Sequence, residues 1–237
     1  MKLKKRIILS LSFLCAASLF AVIGSVGGRL YKSTSAKEDD IKTVIIDSGH
    51  GGYDGGAVAE DGTVEKNINL MIALKLKDIF EFNGYRVVMT RTEDVDTDDS
   101  DSDKYSKKGD LENRLALMKK YPDSIFLSIH LNKFTSTKAS GAQVFYAPDF
   151  EEAKQLGACI QKSLKDLIQN DNNRVIKKGT KSTYLLYNAK VPAVIIECGF
   201  ISNLNELKML KNEEYQSKLA FAIFCGTENY FSETKGR

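Results

Sequence analysis

The amino-acid sequence predicts an α/β fold: a single domain in which helices cover both faces of a mixed, mostly parallel sheet. Short apolar segments with the character of buried strands alternate along the chain with segments of helical periodicity, and this alternation is typical of parallel βαβ units. The chain has 237 residues, of which 43% are hydrophobic, so one domain can bury a sizeable core. The sequence contains no internal repeat and no sign of a second folded domain.

Five segments predict strands, because they are short, apolar and rich in β-branched residues. In chain order they are TVIIDS (43–48), YRVVMT (85–90), SIFLSIH (124–130), GAQVFYA (141–147) and a strand within VPAVIIECGF (191–200). We expect the third strand to end at His130 and the last strand to end at Glu197.

Four segments have the 3.6-residue spacing of apolar side chains that indicates amphipathic helices. They are Lys66–Phe82, Asp110–Tyr121, Phe150–Gln169 and most of the tail from Asn205 to Phe231. The acidic, serine-rich stretch at 93–110 is interpreted as a solvated surface loop. A calcium-binding loop that starts at Asp94 is the alternative, but Asp99 and Tyr105 replace the glycine and the glutamate that such a loop requires.

The first 28 residues predict a targeting segment. MKLKKR is positively charged, and Ile7–Gly28 is an uncharged run that as a helix would extend about 33 Å, enough to span a hydrocarbon core of about 30 Å. Residues 1–28 are therefore interpreted as a signal peptide or a membrane anchor, followed by a polar linker (29–42), the folded domain (43–232) and a short tail (233–237). Both alternatives predict an exported protein of the cell envelope, either secreted or attached to the membrane through this segment.

Charge and cysteine content argue against two classes of site. The net charge is +3, but four basic residues and no acidic residue lie within 1–28, so the remainder is close to neutral at −1. Nucleic acid is therefore not expected as a partner, because phosphate binding needs a concentrated basic face. Besides Cys15 the chain has Cys159, Cys198 and Cys225, with no C-x-x-C pair. These three cysteines are interpreted as buried free thiols rather than as a disulfide framework or a zinc cluster.

Three side chains that can do chemistry are predicted at the carboxyl ends of strands, where open α/β sheets bind their ligands. His50 follows the first strand, while His130 and Glu197 end the third and the last, and the chain contains no other histidine. Two imidazoles and a carboxylate, with water in a fourth position, form the open site typical of catalytic zinc. From the residues alone the third ligand stays open among carboxylates close to His50 in the sequence, namely Asp54, Glu60, Asp61 and Glu65.

The loop around His50, DSGHGGYDGG (47–56), is rich in glycine, which lets the backbone turn sharply and leaves room for a substrate. A phosphate-binding loop is the alternative, but the GK[ST] ending of a P-loop and the last glycine of G-x-G-x-x-G are missing. Each histidine could instead only hydrogen-bond a neighbouring carbonyl. For Glu197 a purely structural role is disfavoured, because an unpaired buried charge is costly.

Five motifs follow one another along the chain. They are VIIDSGHGGYDGGA (44–57), Glu65 at the start of the next helix, LENRLAL (111–117), SIHLN (128–132) and VPAVIIECGFISN (191–203). In this order they resemble the zinc-dependent N-acetylmuramoyl-L-alanine amidases of the amidase-3 family, and the resemblance covers about residues 43–232. A lone catalytic domain behind a signal-like segment is most similar to the spore-cortex, germination-specific type within that family.

The resemblance implies the ligands and the catalytic group. Zinc (Zn2+) would be held by His50, Glu65 and His130, and Glu197 would be the catalytic carboxylate. Asn132 is a candidate for contact with the substrate.

The sequence departs from the family pattern beside both histidines. Ser48 stands where the family usually has proline, and Leu131 and Lys133 stand where small residues are common. These departures leave the implied ligand set intact, but they bear on zinc affinity and on the shape of the substrate groove.

The implied function is hydrolysis of peptidoglycan between the lactyl group of N-acetylmuramic acid and the L-alanine of the stem peptide, in maturation of the spore cortex. The implied partners are peptidoglycan, an exported activator or scaffold protein, and the membrane through the N-terminal segment. Two alternatives stay open: a zinc metallopeptidase that acts on another amide, and a non-catalytic wall-binding module.

Overall fold

A sheet of six strands forms the centre of the fold. The structure is a computed structural model that describes residues 41–98 and 105–234, so the predicted targeting segment lies outside the described residues. The strands are β1 (Thr43–Ser48), β2 (Arg86–Met89), β3 (Ser124–Asn132), β4 (Gln143–Tyr146), β5 (Lys177–Lys178) and β6 (Ala193–Phe200). Their order across the sheet is β2-β1-β3-β6-β4-β5. Strands β2, β1, β3 and β6 are parallel, and β4 is antiparallel to β6.

The predicted helices are all present in the described residues. The helices are α1 (Glu65–Phe82), α2 (Lys107–Lys120), α3 (Glu151–Ile168), α4 (Tyr184–Tyr187), α5 (Leu204–Leu210) and α6 (Glu213–Thr234). Helix α2 begins three residues earlier than predicted because Ser106 caps it, its side-chain oxygen accepting a hydrogen bond from the amide of Gly109 at 3.1 Å. The predicted C-terminal helix is divided into α5 and α6.

Side chains of successive strand residues pack into two cores, one on each face of the sheet. Val44 and Ile46 of β1 pack with α1, α3 and α6, whereas Ile45 between them packs with α2 and α4. All three side chains are fully buried, and burying one such side chain contributes about 1.5–3 kcal/mol. The α/β class with helices on both faces of a mostly parallel sheet is therefore confirmed.

Two strands extend beyond their predicted ends. Strand β3 continues past His130 to Asn132, and β6 continues past Glu197 to Phe200. Pairing persists because the register shifts after the His130–Glu197 pair, and the amide of Ile201 still donates to the carbonyl oxygen of Asn132 at 2.8 Å. The expectation that His130 and Glu197 end their strands is wrong. Their proximity comes instead from being direct neighbours across two paired parallel strands.

Within residues 41–98 and 105–234, no helix is both long and apolar enough to cross a bilayer.

Candidate metal centre

The chain turns sharply where β1 ends, and this turn places His50. His50 has a φ of +62°, and it is the only non-glycine residue with positive φ in the described part of the chain. Gly56, with a φ of +69°, also approaches the site closely. A Cβ atom on Gly56 would lie 2.6 Å from His50 Cδ2 and 2.7 Å from Glu65 Oε2. Glycine at this position therefore allows the imidazole and the carboxylate to come together.

His50, Glu65 and His130 converge on one point. Glu65 Oε1 lies 3.4 Å from His50 Nε2 and 3.1 Å from His130 Nδ1, and one potential ligand atom from each residue lies within 4.8 Å of the others. Zinc with bonds of 2.0–2.1 Å and tetrahedral angles separates its ligand atoms by about 3.3 Å. Two imidazole nitrogens and a carboxylate oxygen at these separations fit a zinc ion.

Hydrogen bonds hold two of these side chains in a ligating orientation. His50 Nδ1 lies 2.9 Å from Asp54 Oδ2, so this nitrogen donates to Asp54 and leaves Nε2 free to bind a metal. The carboxylate of Glu65, at the start of α1, accepts from the amides of Ala57 at 2.8 Å and Leu131 at 3.0 Å. The same carboxylate is buried, so these donors keep it fixed and ionised.

The charged groups of the cluster shift the pKa values of Glu65 and His50 in the direction opposite to that caused by burial. Burial alone would raise the pKa of Glu65, but hydrogen bonds and charges from His130 and His50 outweigh it and hold that pKa well below its usual range. For His50, burial alone would lower the pKa, but hydrogen bonds and charges from Glu65 and Asp54 outweigh burial and raise it. The centre is thus a buried anion flanked by imidazoles, which is the electrostatic setting that a divalent cation stabilises.

Glu197 lies beside this cluster, and its carboxyl group has a buried oxygen and a raised pKa. Its neighbour across the sheet is His130, and its Oε2 atom is buried without a hydrogen-bond partner among the described residues. Burial, with a further contribution from the charge of Glu65, raises the pKa of Glu197 to about 7. A buried oxygen without a partner is costly, so this oxygen is available to a water or ligand bound at the cluster.

A cavity of about 210 Å³ opens onto these residues. His50, His130 and Glu197 line it together with Lys107 from α2 and Tyr184 from α4. The histidine side chains are each 19% exposed. A ligand can therefore reach the cluster from solvent through this cavity.

The structure separates the carboxylates near His50 that the sequence left open. Glu65 reaches both histidines, and Asp54 binds the far nitrogen of His50. Asp61 instead pairs with Lys211 at 2.8 Å, and Glu60 is exposed. Glu65 is thus the carboxylate that the structure adds to the two imidazoles.

The residues singled out as departures, and the substrate candidate, lie around the ends of β1 and β3. Asn132 ends β3 and does not line the 210 Å³ cavity; its role stays a prediction. Ser48 is buried, with no hydrogen-bond partner for its Oγ among the described residues. Leu131 is buried in the core, and Lys133 donates to the carbonyl oxygen of Val58 at 2.9 Å.

Sequence reasoning missed the buried ionic network beneath the centre. Asp47 of β1 is fully buried and paired with Arg114 of α2, which also binds Asp110 at 2.9 Å. Burial alone would raise the pKa of Asp47, but the Arg114 guanidinium and nearby hydroxyls hold it below its usual range. The sequence did contain a signal for this network. Asp47 follows an apolar, strand-like run, and an aspartate inside a buried strand requires a cation or several hydrogen-bond donors.

Comparison with known proteins gives one consistent result. Residues 44–229 match the family model Amidase_3, described as N-acetylmuramoyl-L-alanine amidase. A germination-specific N-acetylmuramoyl-L-alanine amidase of Bacillus subtilis (strain 168) is 36% identical over 194 residues, which cover 81% of each chain.

Solved structures agree with the sequence comparison. The CwlD amidase of Clostridioides difficile, solved in complex with the GerS lipoprotein, has a TM-score of 0.77 and 42% identity, covering 81% of this chain and 99% of that one. An N-acetylmuramoyl-L-alanine amidase of Clostridium difficile 630 has a TM-score of 0.72 and 29% identity, covering 82% and 98%.

Proposed function

This chain belongs to the N-acetylmuramoyl-L-alanine amidase family, and we propose that it hydrolyses the amide bond between the lactyl group of N-acetylmuramic acid and the L-alanine of the peptidoglycan stem peptide. The observation that carries the proposal is the convergence of His50, Glu65 and His130 within 4.8 Å, next to the partnerless buried oxygen of Glu197. A metal-dependent amidase needs a polarising cation and a proton carrier at one point, and this arrangement supplies a place for both.

We assign the metal ligands from the same geometry. His50 Nε2, His130 Nδ1 and Glu65 Oε1 would hold a zinc ion, because these atoms face one another and the second nitrogen of His50 is bound to Asp54. When bound, zinc lowers the pKa of a coordinated water toward neutrality and polarises the carbonyl of the scissile amide.

Glu197 carries the proton in the proposed reaction. Its carboxylate accepts a proton from the attacking water and then donates it to the departing nitrogen of L-alanine. Burial raises the pKa of Glu197 above that of an exposed carboxyl group, and a carboxyl group with a raised pKa accepts a proton from water more readily than an ordinary one. The products are a glycan without its stem peptide and a free peptide.

The proposed activity is tested by incubating the chain with peptidoglycan, with and without added zinc, and by mass analysis of the products. We expect intact stem peptides with new L-alanine amino termini, formed only when zinc is present. Cleavage inside the peptide would identify a metallopeptidase, and binding to the wall without any cleavage would identify a wall-binding module. Either outcome would contradict the proposal.

Replacement of the proton carrier gives a sharper prediction. Glu197→Gln keeps the size of the side chain but cannot accept the proton, so we expect the rate to fall by about 10²–10⁴-fold while zinc content stays at the wild-type level. Glu60→Gln, at an exposed carboxylate outside the cavity lining, is the matched control and should leave the rate unchanged. Wild-type activity in Glu197→Gln would remove Glu197 from the mechanism.

We further propose that the activity serves the spore cortex and depends on an exported partner protein. Support comes from two relatives: the Bacillus subtilis relative is named germination-specific, and the Clostridioides difficile relative was solved with a lipoprotein. The segment 1–28 would direct the chain to the envelope as a signal peptide or an anchor. Deletion of the gene in its own host should leave cortex glycan that keeps its stem peptides, and unchanged cortex composition would contradict this role.

A further inference from the structure

A buried arginine joins the loop of His50 to the start of α1. Arg91, which is 4% exposed, donates through Nε to the carbonyl oxygens of His50 at 2.7 Å and Ser48 at 2.9 Å. Its NH2 group donates to the carbonyl oxygens of Gly49 at 3.2 Å and Lys66 at 2.8 Å. One planar guanidinium therefore binds three successive carbonyls around His50 and the carbonyl that follows Glu65.

Among the residues that the structure describes, Arg91 differs from the other buried arginine in having no carboxylate partner. Arg114 also donates to the carbonyl oxygens of His50 at 2.9 Å and Ser48 at 3.2 Å, but its charge is balanced by Asp47 and Asp110. Arg91 makes no salt bridge within the described residues, and its hydrogen bonds go to backbone carbonyls. Burying a cation without a carboxylate partner is costly. The carbonyl contacts therefore indicate that the role of Arg91 is to hold in place the backbone to which it donates hydrogen bonds.

That backbone is held in an unfavourable conformation. His50 adopts a φ of +62°, a region that a residue with a side chain enters only when surrounding contacts hold it there. The carbonyl oxygens of Ser48, Gly49 and His50 all accept from Arg91. Together with the bonds from Arg114 to the carbonyl oxygens of Ser48 and His50, these bonds are the contacts that hold the conformation, and Arg91 alone of the two arginines also binds the carbonyl of Gly49.

We propose that Arg91 is a positioning residue, which fixes the separation between the His50 loop and the first turn of α1 so that His50 and Glu65 are set to bind the metal before it arrives. Arg91 makes no hydrogen bond or ion pair with the side chain of His50 or Glu65; it acts through the backbone on both sides of the pair. The inference rests on the proposed metal site, and it adds a residue that the ligand set does not include.

The test compares metal affinity in Arg91→Lys with that in a matched control. Lysine keeps the charge but cannot bind four carbonyls from one rigid plane, so we expect zinc affinity to fall by about tenfold or more. Arg174→Lys is the control, because Arg174 also donates to a backbone carbonyl, that of Ser140 at 2.6 Å, outside the ligand loop. Affinity is measured by competition with a chromophoric chelator, and the visible absorption of the cobalt-substituted proteins reports ligand geometry.

The outcomes separate this inference from the proposed function. A changed cobalt spectrum and weakened zinc binding in Arg91→Lys, with Arg174→Lys at the wild-type level, support the positioning role. Wild-type affinity and spectrum in Arg91→Lys overturn it, while absence of zinc binding by the wild-type chain overturns the metal site itself. A loss of stability without any change of affinity also overturns the positioning role.

A second measurement covers the case in which Arg91→Lys does not fold. In the metal-free wild-type chain, we expect the amides of Gly49, Gly51 and Gly52 to be protected from hydrogen exchange, since each donates a hydrogen bond. Adding zinc should then change their protection by less than about tenfold. Free exchange that becomes protected only with zinc would show that the ion orders the loop, and would overturn the inference.

Discussion

Gly56 controls how closely His50 and Glu65 approach each other. An added Cβ would lie 2.6 Å from His50 Cδ2 and 2.7 Å from Glu65 Oε2, so alanine at this position must displace a proposed ligand. We expect Gly56→Ala to weaken zinc binding by about 10–100-fold, as for other changes that misplace a ligand. Isothermal titration of the metal-free protein with zinc measures this effect.

Gly62 provides the matched control for that substitution. It has a φ of +84° and no atom within 4 Å of an added Cβ, so Gly62→Ala carries backbone strain without the clash. Both variants should lose about 1–2 kcal/mol of stability from the positive φ, but only Gly56→Ala should lose affinity for zinc. Equal zinc affinities in the two variants would contradict the role given to Gly56.

At the level of single residues, the sequence indicated the two histidines as metal ligands but did not indicate the residues that hold them in place. His50 and His130 stood out because the chain has only two histidines, each close to a strand end. Asp54 could not be distinguished from Glu65 by spacing. Both carboxylates contact His50, and the turn at Gly56 decides that Glu65 faces Nε2 while Asp54 faces Nδ1. Arg91 gave no signal, because its partners are backbone carbonyls and these carry no sequence pattern.

Among the elements, the contact between α3 and α6 is set by one glycine. An added Cβ on Gly226 of α6 would lie 2.5 Å from the Cα atom of Ile160 in α3. Gly226→Ala must therefore push the two helix backbones apart, and we expect it to destabilise the fold by about 1–3 kcal/mol. Chemical denaturation at neutral pH, followed by circular dichroism, measures the change.

Gly157 lies in the same helix α3, but there alanine is expected to raise the stability of the fold rather than to lower it. Its added Cβ would lie 3.4 Å from Val144 Cγ1, its nearest neighbour, which is ordinary contact. Gly157→Ala should therefore stabilise the protein by about 0.5–1 kcal/mol through helix propensity. If Gly226→Ala were as stable as Gly157→Ala, the close packing of α3 against α6 would be refuted.

The sequence predicted the longer elements and missed the shortest. Lys66–Phe82 and Phe150–Gln169 carry several turns of apolar periodicity, and both became helices within one residue of their predicted ends. Strand β5 has two residues and α4 has four, too few to show a period. The ends of β3 and β6 were misplaced because the bulge between them depends on tertiary pairing.

For the molecule as a whole, Lys42–Arg237 forms one compact unit, and the cavity in it is accessible to solvent. Because a peptidoglycan amidase must be restrained, we expect control to reside in the predicted targeting segment and in the proposed exported partner. The purified domain should therefore cleave peptidoglycan several-fold more slowly than the native assembly isolated from the envelope. Equal rates in matched assays would argue against such a partner.

X-ray absorption at the zinc edge of the purified, zinc-loaded chain tests most directly whether His50, Glu65 and His130 bind one zinc ion. We expect one zinc per chain with nitrogen and oxygen donors at about 2.0–2.1 Å, imidazole scattering and no sulfur at about 2.3 Å, and loss of the ion in His50→Ala and His130→Ala. A sulfur shell, or zinc retained in both variants with an unchanged spectrum, would contradict the convergence of His50, Glu65 and His130 on a single ion.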